Sequence, residues 1–232
     1  MKFQSQIIAS GSGSIGGCTY SRNRFGQYIR RRAMPVNPGS AFAQVMTNFF
    51  GTLVQRWTST LTQPQRDAWD VWAINTPQAD ALGNPINWTG QNAYISMNAL
   101  RLQLGETYVD TAPSVFAGAT FTAPSGIVIL NVSEATQDFD FNFINTDPWA
   151  GSVGGSLGIY VSRPQNPSIN FFKGPYRLGL VVPGAVIPPT SPATVPVPFP
   201  ITEGQRIFVQ ARVCQADARI SAIARYTELV GP

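Results

Sequence analysis

The sequence predicts an α+β protein, in which an N-terminal arm with a β-hairpin precedes three helices and an antiparallel β-sandwich. Three observations lead to this fold class. Residues 1–66 carry eight Lys and Arg and no Asp or Glu, so the N-terminal part of the chain is positively charged, unlike the rest. Apolar residues then recur with helical spacing up to about residue 104, whereas further along the chain they alternate with polar ones. We therefore expect an arm over 1–36, a helical domain over 37–108 and a sandwich over 109–232.

The arm contains two short segments of strand-forming residues, Cys18–Ser21 and Phe25–Arg30. Tyr and Ile favour strands, so these segments predict a hairpin around Arg22-Asn23-Arg24. The glycines over 11–17 predict a flexible turn in front of it. The side chains that we expect to bind a partner all belong to this hairpin or follow it directly: Arg22, Arg24, Tyr28, Arg30, Arg31 and Arg32.

Three helices are predicted from their capping residues. Asn37 and Pro38 are a favoured cap and first residue for the first helix. Thr62 opens a capping box for the second helix, and Thr89 caps a third helix that runs from about Gly90 to Leu104. The first helix has an apolar stripe of about five turns, made of Phe42, Val45, Met46, Phe49, Leu53 and Trp57.

Short strands follow a linker at 112–124. Strict alternation over Asp138–Phe143 predicts a half-buried strand. Residues 183–200 hold seven prolines, which predicts an edge or a surface strap and excludes a central strand. Six or seven strands in this half of the chain predict an antiparallel sandwich. The other candidates lie at 127–132, 157–162, 176–182, 207–213 and 219–227, and the last two flank a hairpin turn at 215–218.

The composition excludes the commonest catalytic and metal sites. The chain has no His, which removes Ser-His and Cys-His catalysis and His-ligated metals. Its two cysteines, Cys18 and Cys214, are far apart in the sequence and form no CxxC motif, so neither a zinc site nor a disulfide framework is expected. We predict that the protein is not an enzyme and takes no cofactor and no metal.

The N-terminus does not have the pattern of a signal peptide, because its apolar core is only Ile7-Ile8-Ala9. No stretch approaches the ~20 apolar residues of a membrane span. We therefore expect a soluble protein made in the cytoplasm. Charged residues make up 12% of the chain, so its polar surface is mostly uncharged. Such a surface is typical of proteins with extended protein contacts, and also of extracellular β proteins.

Two clusters of side chains admit a second interpretation. The arginines of the arm, interleaved with aromatic residues, could bind nucleic acid by gripping phosphates and stacking on bases. Residues 67–232 carry eight basic and twelve acidic groups, which favours salt bridges between the arm and protein neighbours instead. Asp138 and Asp140 could pair for calcium binding or acid–base chemistry, but the solvated face of an alternating strand explains them better.

The tryptophans are the third feature with two interpretations. Four of the five lie between residues 57 and 88, where they could form a sugar-binding platform. However, Trp57, Trp69 and Trp72 lie on the apolar stripes of the predicted helices. Core packing is therefore the favoured interpretation.

Several spaced motifs follow one another in a fixed order over residues 15–104. They are Gly16-Gly17, Thr19–Arg24, Gly26, Tyr28–Arg30, Pro35, Asn37-Pro38, Gln44, Trp57, Leu61-Thr62, Gln65-Arg66, Ala68-Trp69, Gly90 and Asn98. In these motifs the chain resembles a widespread family of tailed-bacteriophage and prophage proteins that are usually taken for virion components. The segment Gly39–Gln44 departs from the Thr-Pro-x-Gln pattern of most members. The resemblance implies a virion-associated role and brings no catalytic residues with it.

The C-terminal half resembles the fibronectin III or immunoglobulin-like domains that are often appended to phage virion proteins. The segments Gly204–Val213 and Ala218–Ser221 carry this second resemblance. It concerns the fold, and fold alone does not determine function.

Together these features predict a structural component of a bacteriophage virion, a head decoration, minor capsid or vertex protein that docks through its basic arm and helices. The expected partners are the major capsid protein or tail and neck subunits, and further copies of the chain, with a trimer as one candidate state. A tail-fibre or receptor-binding component that recognises a glycan is the alternative, and a nucleic-acid-binding protein is the less favoured third. The expected location is the virion, after synthesis in the host bacterial cytoplasm.

Overall fold

The computed structural model describes residues 12–23, 26–34, 39–79, 85–86 and 88–232. The chain divides into two compact units, Met1–Ala43 and Gln44–Pro232. The described elements are three α-helices, antiparallel sheets of three, three and four strands, and a short two-stranded ladder, so the predicted α+β class is confirmed. None of the helices described is long and apolar enough to cross a membrane.

The first unit contains an antiparallel sheet of three strands, β1 (Gly13–Ile15), β2 (Cys18–Asn23) and β3 (Gly26–Arg31), in that order. β2 and β3 form the predicted hairpin. The prediction of a flexible turn over 11–17 is wrong for β1, which pairs with β2 in regular register. The turn is confined to the two residues between them, where Gly16 has a φ of 57° that glycine adopts without strain.

The first helix, α1, spans Ala41–Ser59 and begins later than predicted. Ser40 caps it, because the backbone N–H of Ala43 donates to the Ser40 Oγ at 3.3 Å. The chain is not yet helical at Gly39, which has a φ of 58°. Asn37 and Pro38, the predicted cap and first residue, lie outside the described residues.

The other two helices begin where their capping residues predicted. In α2 (Gln63–Asn75) the N–H of Thr62 donates to Gln65 Oε1 at 2.9 Å, which is one half of a capping box. In α3 (Gly90–Gln103) the N–H of Asn92 donates to the Thr89 hydroxyl at 3.3 Å.

α2 and α3 approach each other closely at Gly90. A Cβ built on Gly90 would lie 2.6 Å from the backbone nitrogen of Asp70, so only glycine fits there. The backbone N–H of Gly90 instead donates to the Asp70 carboxylate at 2.8 Å. Between the two helices, β4 (Gln78–Ala79) and β5 (Pro85–Ile86) form the two-stranded ladder.

One hydrophobic cluster joins the three helices. Leu53, Trp69 and Tyr94 are completely buried in it, and Trp72 is nearly so. The rings of Trp69 and Tyr94 meet edge to face with their centroids 5.5 Å apart. Trp57 packs against the same cluster, partly buried. The interpretation of these tryptophans as core residues is therefore confirmed.

The C-terminal part of the second unit folds into two further antiparallel sheets. In chain order their strands are β6 (Ile129–Ser133), β7 (Asp138–Phe141), β8 (Ser156–Ser162), β9 (Tyr176–Pro183), β10 (Ala193–Pro196), β11 (Arg206–Cys214) and β12 (Ala224–Leu229). One sheet has the order β10–β7–β6 and the other β12–β11–β8–β9.

The two sheets share one core in a sandwich-like arrangement. Phe139 and Phe141 of β7 belong to the same buried cluster as Ile159 of β8 and Val209 of β11. The alternation predicted over 138–143 is confirmed, since the phenylalanines are buried and the aspartates between them are not. The immunoglobulin or fibronectin III assignment stays a prediction.

The positions of two strands of the sandwich, β10 and β12, follow from particular side chains. β10 lies in the proline-rich segment and takes an edge position, as the prolines predicted. β12 begins at Ala224, five residues later than the predicted 219–227 strand. The hydroxyl of Ser221 accepts the backbone N–H of Val213 at 2.9 Å and so takes the place of a backbone carbonyl in the ladder.

α3 lies on the outer face of the four-stranded sheet. Leu100 and Leu104 pack with Cys214, and at Gly158 an added Cβ would lie only 2.5 Å from Leu104 Cδ2. Arg101 is 2% exposed and donates to the carbonyl oxygens of Thr107, Gly154 and Gln215 at 2.7, 3.0 and 2.6 Å. This buried guanidinium therefore ties the helices to the loops of the sandwich.

Candidate docking surfaces

Part of the predicted partner-binding set is exposed on the N-terminal hairpin. Arg30, Arg31 and Arg32 are exposed, and Tyr28 is half-buried. Arg24 lies outside the described residues, and of Arg22 only its backbone in β2 is described. Among the described residues no carboxylate lies within ion-pair distance of the three exposed arginines.

The register of the hairpin places its positive charge on both faces. Arg30 lies opposite Thr19, and Arg31 lies opposite Cys18. Successive residues of a strand point to opposite faces, so Arg30 shares a face with Tyr28 while Arg31 is on the other. Arg30 and Arg31 are neighbours in the sequence, but they lie on opposite faces of the strand.

The N-terminal part of α1 exposes apolar side chains. Phe42 is 64% exposed, Val45 is 44% exposed and Phe50 is 57% exposed. Residues 41–55 contain no charged side chain at all. Of the predicted apolar stripe only Leu53 is fully buried, so the stripe does not form one continuous buried face. Exposed large apolar residues grouped on one element are typical of an interaction surface.

The C-terminal part of α1 is instead held by a polar network. Arg56 Nη2 contacts Asp110 Oδ2 at 2.6 Å, and the Arg56 guanidinium lies 3.8 Å from the centre of the Tyr108 ring. The Tyr94 hydroxyl donates to Asp110 Oδ1 at 3.0 Å, and the Trp69 indole N–H donates to the Asp110 carbonyl at 2.9 Å. One aspartate therefore fixes residues from all three helices.

The network shifts two proton equilibria. The hydrogen bond from Arg56 to Asp110 raises the pKa of the guanidinium, which stays charged. Burial, followed by the hydrogen bond to Asp110, raises the pKa of Tyr94. The network therefore favours the state in which Arg56 is a cation and Tyr94 is a neutral hydrogen-bond donor.

An aromatic cleft opens on the outer face of the four-stranded sheet, away from α3. It has a volume of about 260 Å³. The rings of Phe172 and Phe208 stack with centroids 5.9 Å apart, and Tyr176 meets Phe172 edge to face at 5.4 Å. Phe171 is 67% exposed at its rim, and Arg225 supplies an exposed positive charge.

A second cavity of about 290 Å³ lies between the helices and β11. Trp72, Trp88 and Met97 form its apolar walls, and Arg212 reaches it from the sheet. The Trp72 and Trp88 rings are 6.0 Å apart, and their indole N–H groups donate to the carbonyls of Val115 and Thr76. These hydrogen bonds hold the aromatic walls in place.

The two aspartates considered as a calcium or acid–base pair, Asp138 and Asp140, form hydrogen bonds with neighbouring polar side chains of the sheet surface. Asp140 accepts hydrogen bonds from Asn131 and Thr194 at 2.9 and 2.8 Å, and these bonds lower its pKa. Asp138 accepts from the Thr136 hydroxyl. Within the described part of the chain no group of three or more Asp, Glu or Cys side chains could hold a metal ion.

Sequence analysis did not find the aromatic cleft or the cavity at Arg212. Phe171-Phe172 is an unusual pair of large apolar residues in a polar loop, and this signal was available. Arg212 gave a weaker signal, as a charge inside the apolar segment Ile207–Cys214. No sequence signal links it to Trp72 and Trp88, which are distant in the chain.

Comparisons of the chain with protein-family models, with curated proteins and with solved structures found no match. The surfaces described above therefore carry the functional argument.

Proposed function

We propose that the protein is a structural component of a bacteriophage virion, a head decoration, minor capsid or vertex protein. Its hairpin and first helix dock on neighbouring protein subunits. The observation that carries this proposal is the surface of α1, where Phe42, Val45 and Phe50 are exposed on a charge-free stretch of helix. Apolar residues grouped on one uncharged stretch of helix favour an interaction surface, which an assembly subunit buries against a neighbour.

The charge distribution supports a protein partner with an acidic surface. The three described arginines of the hairpin have no carboxylate partner among the described residues, and the first 66 residues contain no acid. Neighbouring subunits that offer carboxylates to the hairpin and an apolar groove to α1 would complement both features. Acidic residues outnumber basic ones over 67–232, so another copy of this chain also meets part of that requirement.

The strand order of the sandwich supports the resemblance to fibronectin III domains. Its first, second and fifth strands form one sheet, and its third, fourth, sixth and seventh strands form the other. Domains of this kind are often appended to virion proteins, which accords with a module that projects outward or packs against a neighbouring copy.

The experiment that tests the proposal uses the phage that encodes the chain. Purified particles should contain the protein by mass spectrometry, and imaging should locate it on the head or its vertices. We expect the triple variant R30Q/R31Q/R32Q to lose incorporation, while the charge-matched control R163Q/R177Q/R225Q, at three exposed arginines of the second unit, keeps it. Particles without the protein, or equal incorporation of both variants, would contradict the proposal.

The aromatic cleft favours a second candidate function, recognition of a glycan by a tail or fibre component. Sugar rings stack on exposed aromatic faces and bond with polar groups at the rim, and the cleft offers Phe171 beside Asn170, Arg225 and Thr227. Binding of the full-length protein to a glycan array, lost in F171A and kept in V186A, a control at an exposed residue outside the cleft, would favour this function.

Nucleic acid is the third candidate partner of the exposed arginines. Duplex DNA binding by the purified protein that weakens steeply with salt would favour it. Charge on both faces of the hairpin argues for contacts with neighbouring subunits, since a one-sided duplex footprint uses one face.

A further inference from the structure

Arg212 is a half-buried arginine of β11 that forms no ion pair with the described residues and leaves most of its donors unused. Arg56 pairs with Asp110, and Arg101 donates to three carbonyl oxygens. The only hydrogen bond of the Arg212 guanidinium to described residues runs from Nε to the Ser221 carbonyl at 3.1 Å. A guanidinium has five N–H donors, so its two terminal nitrogens remain available.

Arg212 is partly desolvated in this position. It is half-buried on β11, and burial lowers its pKa, because desolvation disfavours the cationic form. A buried charge is normally paired, since desolvation without a partner is unfavourable. An anion that entered the cavity would restore the missing pair and would gain from the low dielectric of its surroundings.

The side chains of the cavity walls determine which kind of chemical group can carry the anion. Trp72, Trp88, Met97 and Ile220 are apolar, and the two indole N–H groups are already used by backbone carbonyls. Thr76, Gln78, Ser96 and Ser221 also line the cavity, so a ligand meets aromatic faces together with a few polar side chains. A free inorganic anion would leave these walls uncovered, whereas an apolar group that carries the anion would fill them.

The cavity is preformed and small. The backbone N–H of Ala119 donates to the Ile220 carbonyl at 3.0 Å, and the Thr76 hydroxyl donates to the Trp72 carbonyl at 2.8 Å, so several of its walls are linked. Its volume of about 290 Å³ is at the lower end of the range for ligand pockets, ~300–1,000 Å³. One ring with a short acidic chain is the matching size.

We propose that the cavity at Arg212, Trp72 and Trp88 is a binding site for a carboxylate carried on a flat apolar group. The carboxylate accepts from the terminal nitrogens of Arg212 in the bidentate geometry that suits a guanidinium, and the apolar group lies against the walls formed by Trp72, Trp88 and Met97. Such a group occurs in free aromatic acids and at the end of a protein chain with a C-terminal aromatic residue. This proposed site contains no residue of the hairpin or of α1.

The probes for the test are 3-phenylpropionate and the peptide acetyl-Gly-Gly-Phe, each compared with its neutral amide by calorimetry on the full-length protein. We expect at least one carboxylate to bind and its amide to bind about 10-fold more weakly or not at all, because the neutral amide cannot form the charge-assisted hydrogen bonds with Arg212. The peptide identifies the source: if it binds, the end of a protein chain fits, and if only 3-phenylpropionate binds, the site takes free acids.

Three variants assign the binding to the cavity. R212Q should weaken carboxylate binding about 10-fold or more. R212K keeps a charge and should retain weaker binding, which covers the case in which R212Q does not fold. R177Q removes an exposed arginine of β9, in the same sheet and outside the cavity, and should bind as the unaltered protein does. Absence of binding by both carboxylates, equal binding of acid and amide, or unchanged binding in R212Q and R212K would each overturn the proposal.

Discussion

The two halves of α1 have the same apolar pattern and different surroundings. Leu53 is completely buried, and Trp57 packs on Tyr94 with ring centroids 5.6 Å apart. Two to three turns earlier, Phe42 and Val45 are 64% and 44% exposed. One part of the apolar stripe of α1 therefore packs inside the protein, and the other part is available for contact with a partner. Substitutions in the C-terminal half should therefore affect folding, and those in the N-terminal half should affect assembly.

The largest effect should come from Leu53. Replacing it with alanine leaves a cavity among Trp69, Tyr94 and the rest of the helical cluster, and we expect a loss of about 2–5 kcal/mol in the free energy of unfolding. Urea denaturation of L53A and of F50A measures the contrast. Phe50 is 57% exposed, so F50A should change stability by less than about 0.5 kcal/mol. Similar losses in the two variants would remove the distinction between the halves.

The next effect should come from the polar network that holds the C-terminal half. D110A leaves the Arg56 guanidinium and the Tyr94 hydroxyl without their acceptor, so we expect a loss of about 1–3 kcal/mol. D217A removes the other ion pair of the described residues, where the aspartate is 39% exposed and only two residues from Arg219. That control should cost at most ~1 kcal/mol. Equal losses would show that Asp110 does not join the helices.

A smaller effect concerns pH. The pKa of Tyr94 is raised in the folded protein, first by burial and then by Asp110, whereas an unfolded tyrosine ionises near pH ~10. The folded state therefore gains stability from the neutral phenol at all lower pH values and loses it as the pH rises above that value. Urea midpoints between pH 8 and 11 should fall for the unaltered protein and fall less steeply for Y94F. The same slope in both would show that Tyr94 does not contribute.

The elements of the fold could be predicted because they depend on local chemistry. Thr62 and Thr89 mark helix starts through hydrogen bonds with residues three positions away, and alternation over 138–143 reports one buried face directly. The start of the first helix was predicted wrongly because it depends on a backbone conformation that the capping pattern does not indicate. Gly39 adopts a positive φ, which moves the cap to Ser40, and no local pattern required this.

The surfaces could be predicted only in part, because exposure depends on partners distant in sequence. An apolar stripe on α1 indicates that something covers it and does not indicate what. The division of Arg30 and Arg31 between two faces follows from the hairpin register. The cavity at Arg212 is formed by side chains from α2, α3 and β11, which meet only in the folded chain.

Incorporation of the protein into particles is the measurement that tests the docking role of α1 most directly. The variant F42S/V45S/F50S should keep the stability of the unaltered protein in solution and be absent from purified particles, as quantified by mass spectrometry. The matched control V153S/V186S/I187S changes three residues that are 72%, 82% and 84% exposed on the sandwich loops, and it should incorporate normally. If F42S/V45S/F50S folds and incorporates as well as the control, the exposed half of α1 is not the docking surface and the account is wrong.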